Sequence, residues 1–275
     1  MKDYIWIDLK IMFRIPLSVF FSLIYPIIMM FIIILSYGNI PIGNGYHLVD
    51  KYFMIAIGMG ILPLTIISYP MWMGNSLENN SLDRLNFFGI KTSKVLIGDI
   101  IAHIILSIFS MAIDILVAWI AFGLQFPDFS HFIAFLIQYI LAVITALMLG
   151  GVVALLFQNT QILMPFGLVV MFAAYMFCGV FITFDQMPDA FKKIASYIPM
   201  KYAMNDFFDI WTKKIYWDRT FLILSAIYMV ILGVVLTILL KCNAKLNTKK
   251  ISALQNPVKD SEISSKSNHV KGDSI

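Results

Sequence analysis

Five polar residues share one face of the third strongly apolar run: Asp99, His103, Ser107, Ser110 and Asp114, spaced 4, 4, 3 and 4 residues apart. At about 100° per residue this spacing confines them to one narrow stripe of a helix, with Trp119 on the opposite side. An ionisable side chain inside an apolar span is costly and faces a bundle interior, a partner or water. The stripe has two readings. It is a structural seam, with His103 and Asp114 hydrogen-bonded to neighbouring spans and Asp99 near the headgroups, or it is a pathway or proton-sensing element.

Two polar connections are the other candidates. Residues 74–94, GNSLENNSLDRLNFFGIKTSK, begin as a plausible short helix with Glu78, Asp83 and Arg84, either a solvated loop or a docking element. Residues 184–203, FDQMPDAFKKIASYIPMKYA, place Met187, Phe191, Ile194 and Ile198 at helical spacing opposite Asp189, Lys192, Lys193 and Ser196. Pro188 suits a first helical turn and Pro199 a helix stop. Met204, Phe207, Phe208 and Trp211 repeat the pattern. Two short amphipathic helices follow, which either cap the bundle or form an outer gate. Cys178 and Cys242 belong to different depths, which excludes a disulfide or a cysteine metal site between them.

The elements that position these residues are membrane spans. Of 275 residues 60% are hydrophobic and 13% charged, against roughly 45–50% and 25% in soluble domains, and the mean hydropathy is +0.85. Runs of about 20 apolar residues cross a bilayer, and six are expected near 17–37, 52–73, 95–122, 132–157, 162–182 and 221–240, with Pro63 and Pro70 as kinks. Residues 1–16 form an amphipathic interfacial helix anchored by Trp6, the six-span domain covers 17–241, and 242–275 form a disordered tail rich in lysine and serine. Lys2, Lys10, Arg14, Arg84, Lys91, Lys94 and the tail lysines lie on the side of both termini, which the positive-inside rule makes cytoplasmic. The six cations between Lys192 and Arg219 oppose that assignment, and five aspartates interleave with them.

Two motifs at the expected spans resemble the membrane subunits of ABC-2 type transporters. The stretch CGVFITFDQMPDAFKKIASYIPMKYAMNDFF is similar to the family's outer region, with Gly179 ending span five, Pro188 before a short helix, Phe191 within it and Pro199 beyond. SLENNSLDRLNFFGIKTSKVLIGDII is similar to its acidic inner loop, matched by Glu78, Leu82, Asp83, Arg84 and Leu85. Ile90, Thr183 and Phe184 stand where the family often has proline. The resemblance covers about residues 1–241.

The resemblance implies an all-α, multi-pass permease subunit of a bacterial plasma-membrane exporter, paired with a second permease, alike or different. A separate cytoplasmic ATPase would bind ATP and magnesium, since this chain has no GxxxxGK[ST] phosphate loop and no cofactor of its own. The inner loop would be the coupling helix and the outer stretch a lid over the path of an amphiphilic peptide or hydrophobic drug. Two other classes stay open: a stand-alone proton-coupled carrier using the span-three stripe, and a membrane enzyme, for which catalytic groups would have to cluster at one depth.

Overall fold

The computed structural model describes residues 20–43, 45–90, 92–181 and 186–255, together with Trp6, Leu9, Lys10 and Met12; for Asp83 and residues 243–255 it describes the backbone alone. Among the described residues six helices are long and apolar enough to cross a membrane: span 1 (Phe20–Tyr37), span 2 (Leu48–Glu78), span 3 (Thr92–Phe122), span 4 (Phe129–Phe157), span 5 (Thr160–Phe177) and span 6 (Arg219–Cys242). The protein is an all-α membrane protein. Span 6 continues as helix to Gln255, past the expected boundary at 241. Residues 256–275 of the expected tail, and most of the expected interfacial helix over 1–16, lie outside the described residues.

One end of the bundle, the lid end, carries a hairpin of β1 (Pro41–Gly43) and β2 (Tyr46–His47), the connection between spans 3 and 4, and residues 186–218. The other, the loop end, carries a short helix (Ser81–Phe87) and the turn at 158–159. Span 2 is the central post, with 94% of its apolar window buried against 11% for span 6. It packs on spans 1, 3, 4 and 5, whereas span 6 lies mainly along span 4. Small residues let neighbours approach closely, as the row Ala142, Ala146, Gly150 and Ala154 suggests. A Cβ on Gly150 would lie 2.1 Å from the Thr65 carbonyl oxygen, so span 4 presses onto the span 2 backbone there.

Prolines explain much of the interior hydrogen bonding. Pro63 has no N–H and leaves the Met59 carbonyl without its helical donor, and in a bilayer no water replaces it. The Tyr175 hydroxyl of span 5 donates to that oxygen at 2.8 Å. Pro26 leaves the Ser22 carbonyl in the same position, and Ser110 of span 3 donates to it at 2.5 Å. Span 2 stays continuous through both of its prolines by widening into π turns over Pro63–Ser68, where Tyr69 N–H reaches back to Leu64 O. The Thr65 hydroxyl adds a bond to Ile61 O at 2.9 Å.

Near the N-terminus, Met12 is buried with Leu64, Ala102 and Leu106, and Leu9 packs against them. Trp6 is exposed.

Candidate functional site

The lid is built from two helices, Asp189–Ala195 and residues 199–211. Pro188 caps the first, and Phe191 stacks on Phe177 of span 5 at 5.5 Å between centroids. The inward row runs through Phe191 and Ala195, not through Ile194, which is exposed. The helix starts only at Asp189, so Met187 precedes it and the face is set a step later than the sequence pattern implied. Pro199 opens the second helix, since the first has already ended at Ala195. A missing N–H is harmless at a first turn.

That second helix does not rest on the surface. Met204, Phe207, Ile210 and Trp211 are fully buried. Met204 lies so close to Gly58 of span 2 that a Cβ there would meet its side chain at 2.2 Å. Trp211 sits among Phe53, Phe126, Phe132 and Phe135, with centroids 5.2 to 6.3 Å away. Aromatic packing of this kind adds to plain area burial.

Polar ties fix the aromatic plug. The Trp211 Nε1–H donates to Gln125 O at 2.8 Å, Gln125 N–H donates to Asp50 Oδ1 at 2.9 Å, and His47 N–H donates to Asp50 Oδ2 at 2.7 Å. The Gln125 side chain also donates to Gly45 O at 2.7 Å. One buried carboxylate thus joins the hairpin, the head of span 2, the span 3–4 connection and the lid. Asp50 was not among the sequence candidates, although its place three residues after His47 at the head of an apolar run is the spacing of a capping box. At the far side of the lid, Asn205 donates to Cys178 O at 2.6 Å, where Gly179 takes a left-handed φ of +89° and turns the chain out of span 5.

Two aspartates of the lid end are tuned in opposite directions. Burial holds the Asp206 carboxyl above its ordinary range, although Lys201 lies 2.7 Å away and opposes the shift. The Lys213 ammonium, hydrogen-bonded to exposed Asp128, holds that carboxyl below its range, and the lysine rises in turn.

The loop end is built differently. Glu78 is the last residue of span 2, and its Oε2 accepts from the Thr160 hydroxyl at 2.9 Å, tying spans 2 and 5 together. The short helix begins after a left-handed Asn80 and contains Leu82, Asp83, Arg84 and Leu85. Leu82 is buried, Leu85 half-buried and Arg84 exposed; the Asp83 side chain lies outside the described residues. Phe87 ends this helix and Phe88 follows it, 88% and 78% exposed. Two neighbouring phenyl rings in the open at a polar loop mark a surface that gains by being covered.

The span 3 stripe exists as a face: Asp99, His103, Ser107, Ser110 and Asp114 are all buried. Its members do different things. Ser110 fills the vacancy left by Pro26, and the Ser107 carbonyl accepts from Tyr139 at 2.8 Å while its hydroxyl bonds Ile104 O. His103 Nδ1 lies 3.0 Å from the Asp99 carbonyl oxygen and 3.4 Å from its carboxylate, with Tyr69 edge-on to the ring at 5.2 Å. Among the described residues neither Asp114 oxygen has a hydrogen-bond partner. The seam expected to bond His103 and Asp114 to neighbouring spans is therefore made by the two serines and Tyr139. Asp99 is fully buried.

A family model described as ABC-2 type transporter matches residues 4–211, from the N-terminal stretch to the last residue of the lid, so span 6 falls outside the match. No curated protein matches the sequence.

Proposed function

The chain belongs to the ABC-2 type transporter family, and from this premise we propose that it is the permease subunit of an ATP-driven exporter of an amphiphilic peptide or hydrophobic drug. The family match over most of the chain carries the reading. Two copies, or this chain and a different permease, enclose the path. A separate cytoplasmic ATPase binds ATP and magnesium and hydrolyses the ATP. Both termini and the loop end face the cytoplasm of a bacterial cell, and the lid end faces outward.

In this reading the Ser81–Phe87 helix is the coupling element, with Leu82, Asp83, Arg84 and Leu85 in contact with the ATPase and Phe87 and Phe88 covered by it. Leu82 anchors the helix to the bundle, and Glu78 transmits its tilt through Thr160 to span 5. Such a tilt is a rigid-body movement between two packed arrangements. At the lid, Gly179, Pro188, Phe191 and Pro199 set the turns that let the outer helices shift and release cargo.

A self-contained proton carrier would need a relay from Asp99 to Asp114. The serine hydroxyls between them are already engaged, Ser110 with Ser22 O of span 1 and Ser107 with Ile104 O of its own helix, which speaks against a chain of exchanging groups.

The test is affinity purification of the tagged chain from native membranes in mild detergent, with mass spectrometry and an ATP hydrolysis assay. An ATPase that co-purifies with the native chain and is lost from an Arg84→Ala, Phe87→Ala double variant supports the reading. A stable, well-expressed chain that brings down no ATPase overturns it.

A further inference from the structure

Beneath the joint between the two lid helices lies a cavity of about 350 Å3. Its walls come from span 2 (Ile66), span 4 (Ala146), span 5 (Ala173), span 6 (Tyr228) and the lid joint itself (Pro199, Met200). Two hydroxyls belong to the lining, Thr145 and Tyr228. Both are occupied within the protein, Thr145 donating to Leu141 O at 2.8 Å and Tyr228 to Tyr197 O at 3.0 Å. A ligand therefore meets aliphatic and aromatic surface with no hydrogen-bonding demand. An apolar cavity stays dry and takes apolar ligands, and one of about 150 Å3 already holds benzene.

We propose that this cavity seats an apolar chain of the exported amphiphilic peptide or drug, an assignment that rests on the exporter reading above; a single-chain amphiphile serves as the probe. Size, polarity and place support it. At the ~30 Å3 that a water-sized group occupies in a liquid, about 350 Å3 holds roughly twelve such groups, the length of a medium alkyl chain. Part of the wall is the Pro199 joint, so the element that would move in export is also the one that closes on the chain. Ala142 and Ala146 of the small-residue row line the cavity, whereas Gly150 serves the contact with span 2.

The probe is a dodecyl phosphocholine with a diazirine near the chain end, photolysed with the full-length chain in phosphatidylcholine vesicles. The expected label maps to peptides containing Ala146, Ala173 and Met200, and falls at least tenfold in Ala146→Phe and in Ala173→Phe, which fill the space from different spans. Val169→Phe, at a position 69% exposed on span 5, leaves it unchanged. Competition by unlabelled alkyl phosphocholines strengthens up to about twelve carbons and then levels off. In vesicles containing the ATPase complex, the two filling variants lose ATP-dependent transport of the probe to the same degree. Label spread over exposed faces and insensitive to both filling variants overturns the proposal. So does label lost without any loss of transport, since the cavity then holds a resident lipid and not cargo. Labelling needs no ATPase, so failure to find one sinks the exporter reading separately from the cavity.

Discussion

The two ends of the bundle are finished in opposite ways. At the lid end, Trp211, Phe207 and Met204 are driven into the bundle and locked by Gln125 and Asp50. At the loop end, Phe87 and Phe88 stand in the open, and the Glu78–Thr160 contact joins the neighbouring helix ends. The Trp211 plug satisfies its own apolar and polar groups, whereas Phe87 and Phe88 sit uncovered beside a polar loop; the lid end has exposed rings too, Phe129 and Tyr197 among them, but they lie outside the plug. In the proposed reading the difference assigns stability to the lid plug and the ATPase contact to the loop.

Substitutions should divide along the same line. The largest effect is expected from Trp211→Ala, which empties a fully buried indole site at a cost of about 3–5 kcal/mol; thermal unfolding in detergent should show a large drop, and an unchanged midpoint would break the picture of a packed lid. Next is Asp50→Ala, which leaves the Gln125 and His47 amides without their charged acceptor, at about 1.5–3 kcal/mol for bonds to a charged group. Its loss should be read by the same assay and by proteolysis of the hairpin. Gly150→Leu comes third, since even a Cβ meets the Thr65 carbonyl at 2.1 Å, and overpacking typically costs about 1–3 kcal/mol. At the other end, Phe87→Ala should shift the midpoint by less than about 0.5 kcal/mol, as surface changes do, while weakening ATPase retention.

The pH dependence of the lid supplies a smaller test. Asp206 is raised by burial, so its contribution to stability is present at acid pH and is lost as pH rises through the raised value. Asp206→Asn should flatten that part of the stability profile. Asp128, lowered by Lys213, acts with the opposite sign, its contribution being lost as pH falls. Lys213 is raised in turn, its contribution being lost as pH rises through the raised value, so Lys213→Met should change the profile at both its acid and its alkaline ends.

The spans and the lid helices were legible in the sequence because periodic apolar residues and prolines are local signals. The span 3 stripe was legible as a face for the same reason. What the stripe does was not, because its partners are distant: Ser110 answers a carbonyl freed by Pro26, and Ser107 meets Tyr139 of span 4. A proline announces a vacant carbonyl but not which helix will supply the donor. The lid's depth was hidden too. Amphipathic spacing gives the same pattern for a helix on a leaflet and for one plugged into a bundle, and the close approach of Met204 to Gly58 and the burial of Trp211 among phenylalanines of spans 2 and 4 separate them. Glu78 looked like a loop charge because its partner, Thr160, is 82 positions away.

The most direct test of the division between the two ends is photocrosslinking in native membranes, with a benzophenone amino acid placed at Phe87 or at exposed Tyr197 of the lid. The expected result is an adduct between the Phe87 position and an ATP-binding protein, and none with that protein from the Tyr197 position. An ATP-binding protein captured from the lid, or none captured from the loop end in a chain that supports export, would contradict the account.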